Sequence, residues 1–411
     1  MGYFYVVLFM FIALAYCYDY KKFTSLRSFW LVVMWITAVC IAAFRYRMGV
    51  DSVMYEHEYP EMPTLFQIWD YKFSDSRYQP LYILFTSICR SISSDFFCFQ
   101  IVHALYVNTI IFWFYSRYTK HTFVALSLYF LMLYIPFNME VLRESLAVST
   151  FMLAWPMFKS GKWLWYYAIC IVALGFHLSA ILTFLLPLFW VPGLREFFVL
   201  GRRTVLICCL LFAIGFFIQD KFFDILQGLS MTDNFKERAA AYKGDELGGA
   251  ALNINGVVGY LLKFAIYPLL ALYFLKKRKK VGENKNEKIA LEKEEYLSMW
   301  NVYTTCLTLL ITIFHRYNNY LAPFTILIIA DWAFSSVTMG KVVWKYKYYM
   351  WVIIFLPLFS IHIYTGFYSA LNKSGTLTQG MLYAPYHSRI NPEEDKNREK
   401  AFRYINPWRD F

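Results

Sequence analysis

The sequence predicts an all-α integral membrane protein with many crossings, and three observations carry that prediction. Hydrophobic residues make up 59% of the chain and aromatic residues 21%, more apolar side chain than a soluble domain, about half apolar, can hide. Apolar runs of membrane-spanning length recur from one end to the other. Lysine and arginine gather in short stretches between those runs, the pattern of cytoplasmic loops in an oriented membrane protein. Backbone polar groups in lipid must be satisfied within their own segment, so the runs are helices.

The net charge of +12 is carried by these short loops, so it argues for membrane orientation and against a nucleic-acid partner. All eight cysteines (Cys17, Cys40, Cys89, Cys98, Cys170, Cys208, Cys209 and Cys306) lie in apolar segments without a paired CxxC. They read as small buried hydrophobes rather than disulfides or metal ligands. The first apolar run lacks a basic segment before it and ends at a bulky Tyr16, so it reads as a retained span rather than a cleaved signal.

The run "KKRKK" at 276–280 opens a polar stretch reaching about Glu295, and it anchors the cytoplasmic side. From there, 256–275 comes in, 298–314 goes out, "HRYNNY" (315–320) turns outside and 317–335 returns. Lys341, Lys345 and Lys347 mark the next inner loop, and 350–369 exits. In the other direction, 204–218 crosses outward from the basic stretch 192–203. Residues 163–190 are too long for one helix in a bilayer about 30 Å thick, so two short helices meeting near His177 are expected, with "KSGK" (159–162) inside. Runs 140–157, 122–137 and 96–115 then alternate, placing "SRYTKH" (116–121) inside, and 29–44 exits from an inner loop marked by Lys21, Lys22 and Arg27. Residues 81–92 are apolar but short, and read as a helix lying in or re-entering the outer interface.

The result is about twelve crossings. They form one membrane domain over 1–369, with outer loops 45–80 and 219–255, a cytoplasmic charged loop at 276–297 and an outer tail, 370–411. No internal repeat is visible. Walker A, HExxH and GxSxG signatures are absent, the glycines of 243–260 lack a strand-turn-helix context, and "NKS" at 372–374 is a chance-level sequon.

This topology gathers charge on the outer face. "FRYRMGVDSVMYEHEYP" (44–60) supplies Arg45, Arg47 and Asp51, and "MEVLRESLAVS" (139–149) supplies Arg143 and Glu144. "LGFHLSAIL" (174–182) supplies His177, and His315 and Arg316 open a later turn. Singly, such charges snorkel to headgroups, and Glu140 and Glu144 would neutralise Arg143. An intramembrane arginine, however, normally faces a cavity or an anionic partner, and guanidinium forks match phosphate oxygens. Four arginines with two histidines and Asp51 suit a diphosphate-bearing ligand and a proton acceptor. The outer aromatics Tyr55, Tyr59, Trp69, Tyr71 and Tyr78 suit sugar stacking or interfacial anchoring.

At these residues the chain resembles the EpsG family, Wzy-like polymerases of bacterial capsular and exopolysaccharides. The resemblance rests on "FRYRMGVDSVMY", "QPLY" (79–82), "LRESLA" (142–147), "HLSA" (177–180) and "HRYNNY", in that order along the chain. Gln79 stands where the family commonly has Glu, and Glu144 where it often has Gln. The resemblance implies a GT-C-like glycosyltransferase that moves a growing glycan from undecaprenyl diphosphate to a lipid-linked repeat unit, at the outer face of the bacterial cytoplasmic membrane. Donor and acceptor are then undecaprenyl-diphosphate-linked oligosaccharides in the bilayer, with a chain-length regulator and other assembly proteins as further partners. No cofactor or metal is expected, since arginines can stabilise the leaving diphosphate.

On this reading Arg143 and Arg316 hold the diphosphate, while Arg45 and Arg47 orient sugar or lipid phosphate. Tyr55, Glu144, His315, Tyr317 and Tyr320 complete the binding surface. His177, with a pKa nearer neutral, is the first choice as base and Asp51 the second. The alternatives are a flippase for the lipid-linked unit, which would show repeat symmetry and charges along a midplane path, and an O-antigen-ligase-like transferase of the same chemistry.

Overall fold

The computed structural model describes residues 2–73, 76–187, 190, 203–204, 206–211, 213–214, 266–279, 285–308, 314–333, 371 and 375–405. Outer loop 219–255, the run 350–369, the inner-loop lysines of 341–347 and the sequon at 372–374 lie outside them. Among the described residues all regular structure is helical, and the only β features are isolated bridges from Ser388 to Arg45 and to Asn391. Two helices there, Gly2–Tyr20 and Phe96–Tyr118, are long and apolar enough to cross a membrane alone. Shorter apolar helices cover Arg27–Ala43, Pro80–Ile92, Thr122–Met132 and Trp163–Phe176. This all-helical architecture is compatible with a helical membrane protein, and the count of about twelve crossings is a reading of hydropathy.

The chain divides into two compact units, one of Met1–Met157, Trp163–Ala180 and Tyr349–Phe411, the other of Phe158–Lys162 and Ile181–Tyr348. The first unit contains α1 (Gly2–Ala15), α2 (Arg27–Ala43), α3 (Val50–Glu58), α4 (Pro80–Ile92), α5 (Phe96–Tyr118), α6 (Thr122–Met132) and α7 (Leu142–Met152). A short helix α8 (Trp155–Ser160) precedes α9 (Trp163–Phe176). Helix α1 packs on α6, α2 on α5, α7 on both α5 and α9, and α4 on α5 and α9.

Local chemistry explains where these helices start. Pro80 opens α4 at the position where a missing N–H costs nothing, and Asp95 caps α5 by accepting from the Phe97 N–H at 2.9 Å. Aromatic contacts fill the core: Phe130 lies 5.0 Å from Phe4, 4.9 Å from Phe11 and 4.5 Å from Tyr134 between ring centroids. Three buried side chains, Asn108, Tyr129 and Asn138, close a ring of hydrogen bonds of 2.8–3.0 Å that satisfies their polar atoms inside the apolar core. Gly175 lets α9 approach α4, since a Cβ there would strike the Leu81 side chain.

The long run 163–190 breaks where its length required: α9 ends at Phe176, and a 3-10 helix follows over Leu178–Leu185. The run 140–157 differs from a single crossing. Its helix begins at Leu142, behind a π-turn over Pro136–Glu140, and gives way to α8 after Met152.

The second unit contains α10 (Ile266–Lys279), α11 (Lys285–Thr308) and α12 (His315–Ala333), packed on one another. The charged stretch expected as a loop is helical from Lys285, because Lys, Glu, Ala and Leu are all strong helix formers. Buried Lys293 donates to the carbonyls of Phe158 and Lys159 at 2.8 Å, and Lys159 reaches Glu294 at 3.3 Å. Thr304 donates to Asn318 at 2.6 Å and Asn301 to Thr325 at 3.0 Å, a neutral polar seam between α11 and α12.

The C-terminal segment belongs to the first unit and lies across its first loop. Helix α13 (Lys396–Ile405) starts at Asp395, whose carboxylate accepts from the N–H groups of Asn397 and Arg398, each at 2.9 Å. Phe402 and Ala401 pack with Val50 and Val53 of α3. Arg398 donates to the carbonyls of Tyr46, Arg47, Met381 and Pro385. Arg389 reaches Gln100 at 2.7 Å, Asp95 at 2.9 Å and Glu56.

Candidate functional site

Arg143 lies one residue inside α7 and is 8% exposed. Its guanidinium carbon sits 4.7 Å from the Tyr78 ring centroid, 5.6 Å from Tyr55 and 5.7 Å from Tyr82. Three aromatic faces therefore surround one cation, an arrangement each ring quadrupole favours. Two of its nitrogens are aimed: Nε donates to the Tyr55 hydroxyl at 2.9 Å and Nη1 to Gln79 Oε1 at 3.3 Å. The cage draws on α3, on the entry to α4 and on α4 itself, and the three tyrosines also pack on one another. Glu58 fixes the Tyr78 edge by accepting from the Tyr78 hydroxyl and from Arg77. Burial pushes the Tyr78 phenol up to about 12, so it stays neutral beside the cation.

Glu140 closes the π-turn just before α7, outside both helices. Its Oε1 accepts from the Val50 N–H at 3.2 Å and the Tyr383 hydroxyl at 2.5 Å, and its Oε2 from the Asp51 N–H at 3.2 Å. The carboxylate thus caps the start of α3, where the helix dipole favours negative charge. Loss of water and, next, the neighbouring Asp51 carboxylate hold the Glu140 carboxyl well above the usual range. The same burial, followed by the Glu140 charge, raises the Tyr383 phenol, which therefore remains a donor. This approach requires Gly49, at φ +84°, since a Cβ there would collide with the Met139 carbonyl.

The other predicted residues fall into distinct places. Asp51 is half-buried in the first turn of α3. Tyr55, one turn further along α3, is buried against Arg143. Arg45 is fully buried and turned under the loop, donating to the Ala42 carbonyl and to Ser52 Oγ at 3.0 Å. That links α2 to α3 and keeps its guanidinium on protein partners. Arg47 points to the tail, 4.0 Å from Glu394. Glu144 is buried on α7 beside Arg143. His177 stands at the break after α9, and its Nδ1 accepts the Ser179 N–H at 3.1 Å with the Ser179 hydroxyl at 2.6 Å. In the neutral ring the proton then sits on Nε2. His315, Arg316, Tyr317 and Tyr320 occupy the first two turns of α12 in the second unit, with Tyr320 buried. The structure thus joins Tyr55 to Arg143, places Asp51 one turn away on α3 beside Glu140, and sets Arg45 and Arg47 on other partners.

Sequence reasoning passed over Tyr82 and Tyr383, and gave Glu140 and Gln79 lesser parts than the structure gives them. A buried His103 was also missed; its Nε2 lies 3.0 Å from Ser145 Oγ and 3.1 Å from the Leu142 carbonyl, at the start of α7. A histidine inside the apolar run 96–115 was the available signal.

A family model described as the EpsG family matches residues 28–388. The chain belongs to the EpsG family. The match takes in the whole cage, Glu140 and Tyr383, while Arg389 and α13 follow its last residue. EpsG membership fits membrane polysaccharide biosynthesis. No curated protein and no solved structure matches the chain.

Proposed function

We propose that this EpsG-family protein is a polysaccharide polymerase that lengthens a glycan carried on undecaprenyl diphosphate, at the outer face of the cytoplasmic membrane. An acceptor sugar hydroxyl attacks the anomeric carbon of the donor glycan. The new glycosidic C–O bond forms, the C–O bond to the diphosphate breaks, and the hydroxyl proton passes to a base on the protein. The observation that supports this reading best is Arg143: a buried cation, oriented at two nitrogens, in a wall of tyrosines. A guanidinium whose plane is already held by Tyr55 and Gln79 can stabilise a leaving diphosphate through its remaining N–H groups with little reorganisation. The surrounding rings are buried, so they hold the cation and keep water from it rather than facing solvent.

For the base, geometry favours Asp51. It shares α3 with Tyr55 and has a second carboxylate, Glu140, beside it. His177 has its Nδ1 lone pair directed at Ser179, which suits its ring to donating from Nε2 instead.

Purified protein given lipid-linked repeat units and no nucleotide should lengthen glycans and release free lipid diphosphate. No lengthening by folded protein with authentic substrate would overturn the enzyme reading and favour a flippase, which has no task in detergent. Reporter fusions should place Asp51 outside and Lys279 in the cytoplasm, and a shared side would remove the outer-face site.

A further inference from the structure

Tyr383 is 240 residues downstream of Arg143 by numbering, yet one continuous set of contacts joins them. The Tyr383 hydroxyl donates to Glu140 Oε1 at 2.5 Å, and Glu140 accepts the first two N–H groups of α3 at 3.2 Å each. One turn along that helix, the Tyr55 hydroxyl accepts from Arg143 Nε at 2.9 Å. Glu140 also stands three residues before Arg143 on the same strand of chain, so it fixes the approach to α7 as well as the start of α3. The segment bearing Tyr383 is held in turn by the Arg398 bonds to the carbonyls of Met381 and Pro385, and by Tyr3, which donates to the Tyr383 carbonyl at 3.2 Å.

We infer that Tyr383 is a positioning residue for the Arg143 site: through Glu140 it sets the register of α3 against α7, and so the direction in which Tyr55 aims the guanidinium. The C-terminal segment is therefore a part of the binding site and not a passive tail. This rests on the reading of Arg143 as the ligand of a lipid diphosphate. Loss of the phenol donor leaves Glu140 with the α3 N–H groups alone, and the cage then samples orientations in which the guanidinium is misaimed.

The test uses the full-length protein in lipid nanodiscs with undecaprenyl diphosphate as the probe. Tyr383→Phe keeps the ring and removes the donor, and should weaken probe binding about 10-fold, the scale of a lost hydrogen bond to a charged group. In an Arg143→Ala background the same change should add less than about 2-fold, because the two act through one contact chain. Independently of any ligand, amide exchange over residues 50–58 should quicken in Tyr383→Phe and in Glu140→Gln, and stay as in the parent for Tyr404→Phe on the exposed side of α13. Equal losses of binding in both backgrounds would overturn the inference. So would unchanged exchange in α3, even if Tyr383→Phe bound the probe poorly. If the parent protein ignores the probe while exchange in α3 still responds to Tyr383, the lipid-diphosphate reading fails and the positioning role stands.

Discussion

Two carboxylates of the first unit cap helices at opposite ends of α1, and they are neutralised differently. Asp19, just past the far end of α1, accepts from the Val124 N–H at 2.8 Å and from Arg27 Nη1 at 3.3 Å. Glu140 lies near the start of α1, where Tyr3 meets the Tyr383 carbonyl; the helix between them is about 21 Å long at 1.5 Å per residue. Asp19 has a cation on it, so its charge is cancelled in place. Glu140 takes three neutral donors and has Asp51 as its electrostatic neighbour. The cation on that side, Arg143, is boxed by tyrosines instead. One end of the unit is a closed ion pair that locks two helices. At the other, Glu140 and Arg143 rest on separate supports, the carboxylate on backbone and phenol donors and the guanidinium among tyrosines.

Variants at the two ends should separate accordingly. Arg143→Ala should lower glycan extension by about 10²–10³-fold with single lipid-linked units accumulating, the scale of losing one oriented charge-stabilising donor. Arg143→Lys should recover little of it, because an ammonium lacks the two-pronged geometry and the stacking plane. Polymer at parental levels from Arg143→Ala would make that end a lock like the other. Asp51→Asn should slow extension by about 10²-fold if it takes the proton, and His177→Ala by less than about 10-fold; pre-steady-state extension rates giving the reverse order would move the base to His177. Arg27→Ala should leave undecaprenyl diphosphate affinity unchanged while lowering the melting temperature, at a stability cost of about 1–3 kcal/mol for a partner removed from a buried carboxylate. Arg47→Ala should change affinity and extension by less than about 2-fold, since its contact with Glu394 is long and largely solvated.

Much of the fold was legible because bilayer thickness acts as a ruler. The break at His177 followed from the length of 163–190, and the short apolar run 81–92 forms the 13-residue helix α4. The helical start of α11 was missed because charge was read as loop, although its Glu and Lys residues favour helix. At the site, Arg143 was legible as a charge in an apolar run. Its cage was not, because tyrosines near a membrane surface read equally well as anchors, and hydropathy does not say which rings face one another. Tyr383 was beyond reach: its partner, Glu140, lies 243 residues earlier, and no periodicity or motif reports a contact at that separation. Arg45 misled for a related reason. Sequence shows a charge at the mouth of a span, while the structure turns it inward onto Ser52 and Ala42.

Gly49 carries no functional group, yet it sits against the Met139 carbonyl in the π-turn before α7. Its positive φ and the Met139 carbonyl beside it make the position intolerant of even a methyl group. Any side chain acts there as a wedge, prising Glu140 off the amides of Val50 and Asp51. A saturation screen scored on polymer yield will therefore rank Gly49 alongside Arg143 and Asp51, and a reader of that screen alone will mistake a hinge pin for a tool. Only a measurement that separates the amount of folded protein from turnover per molecule will distinguish the two kinds of indispensable position.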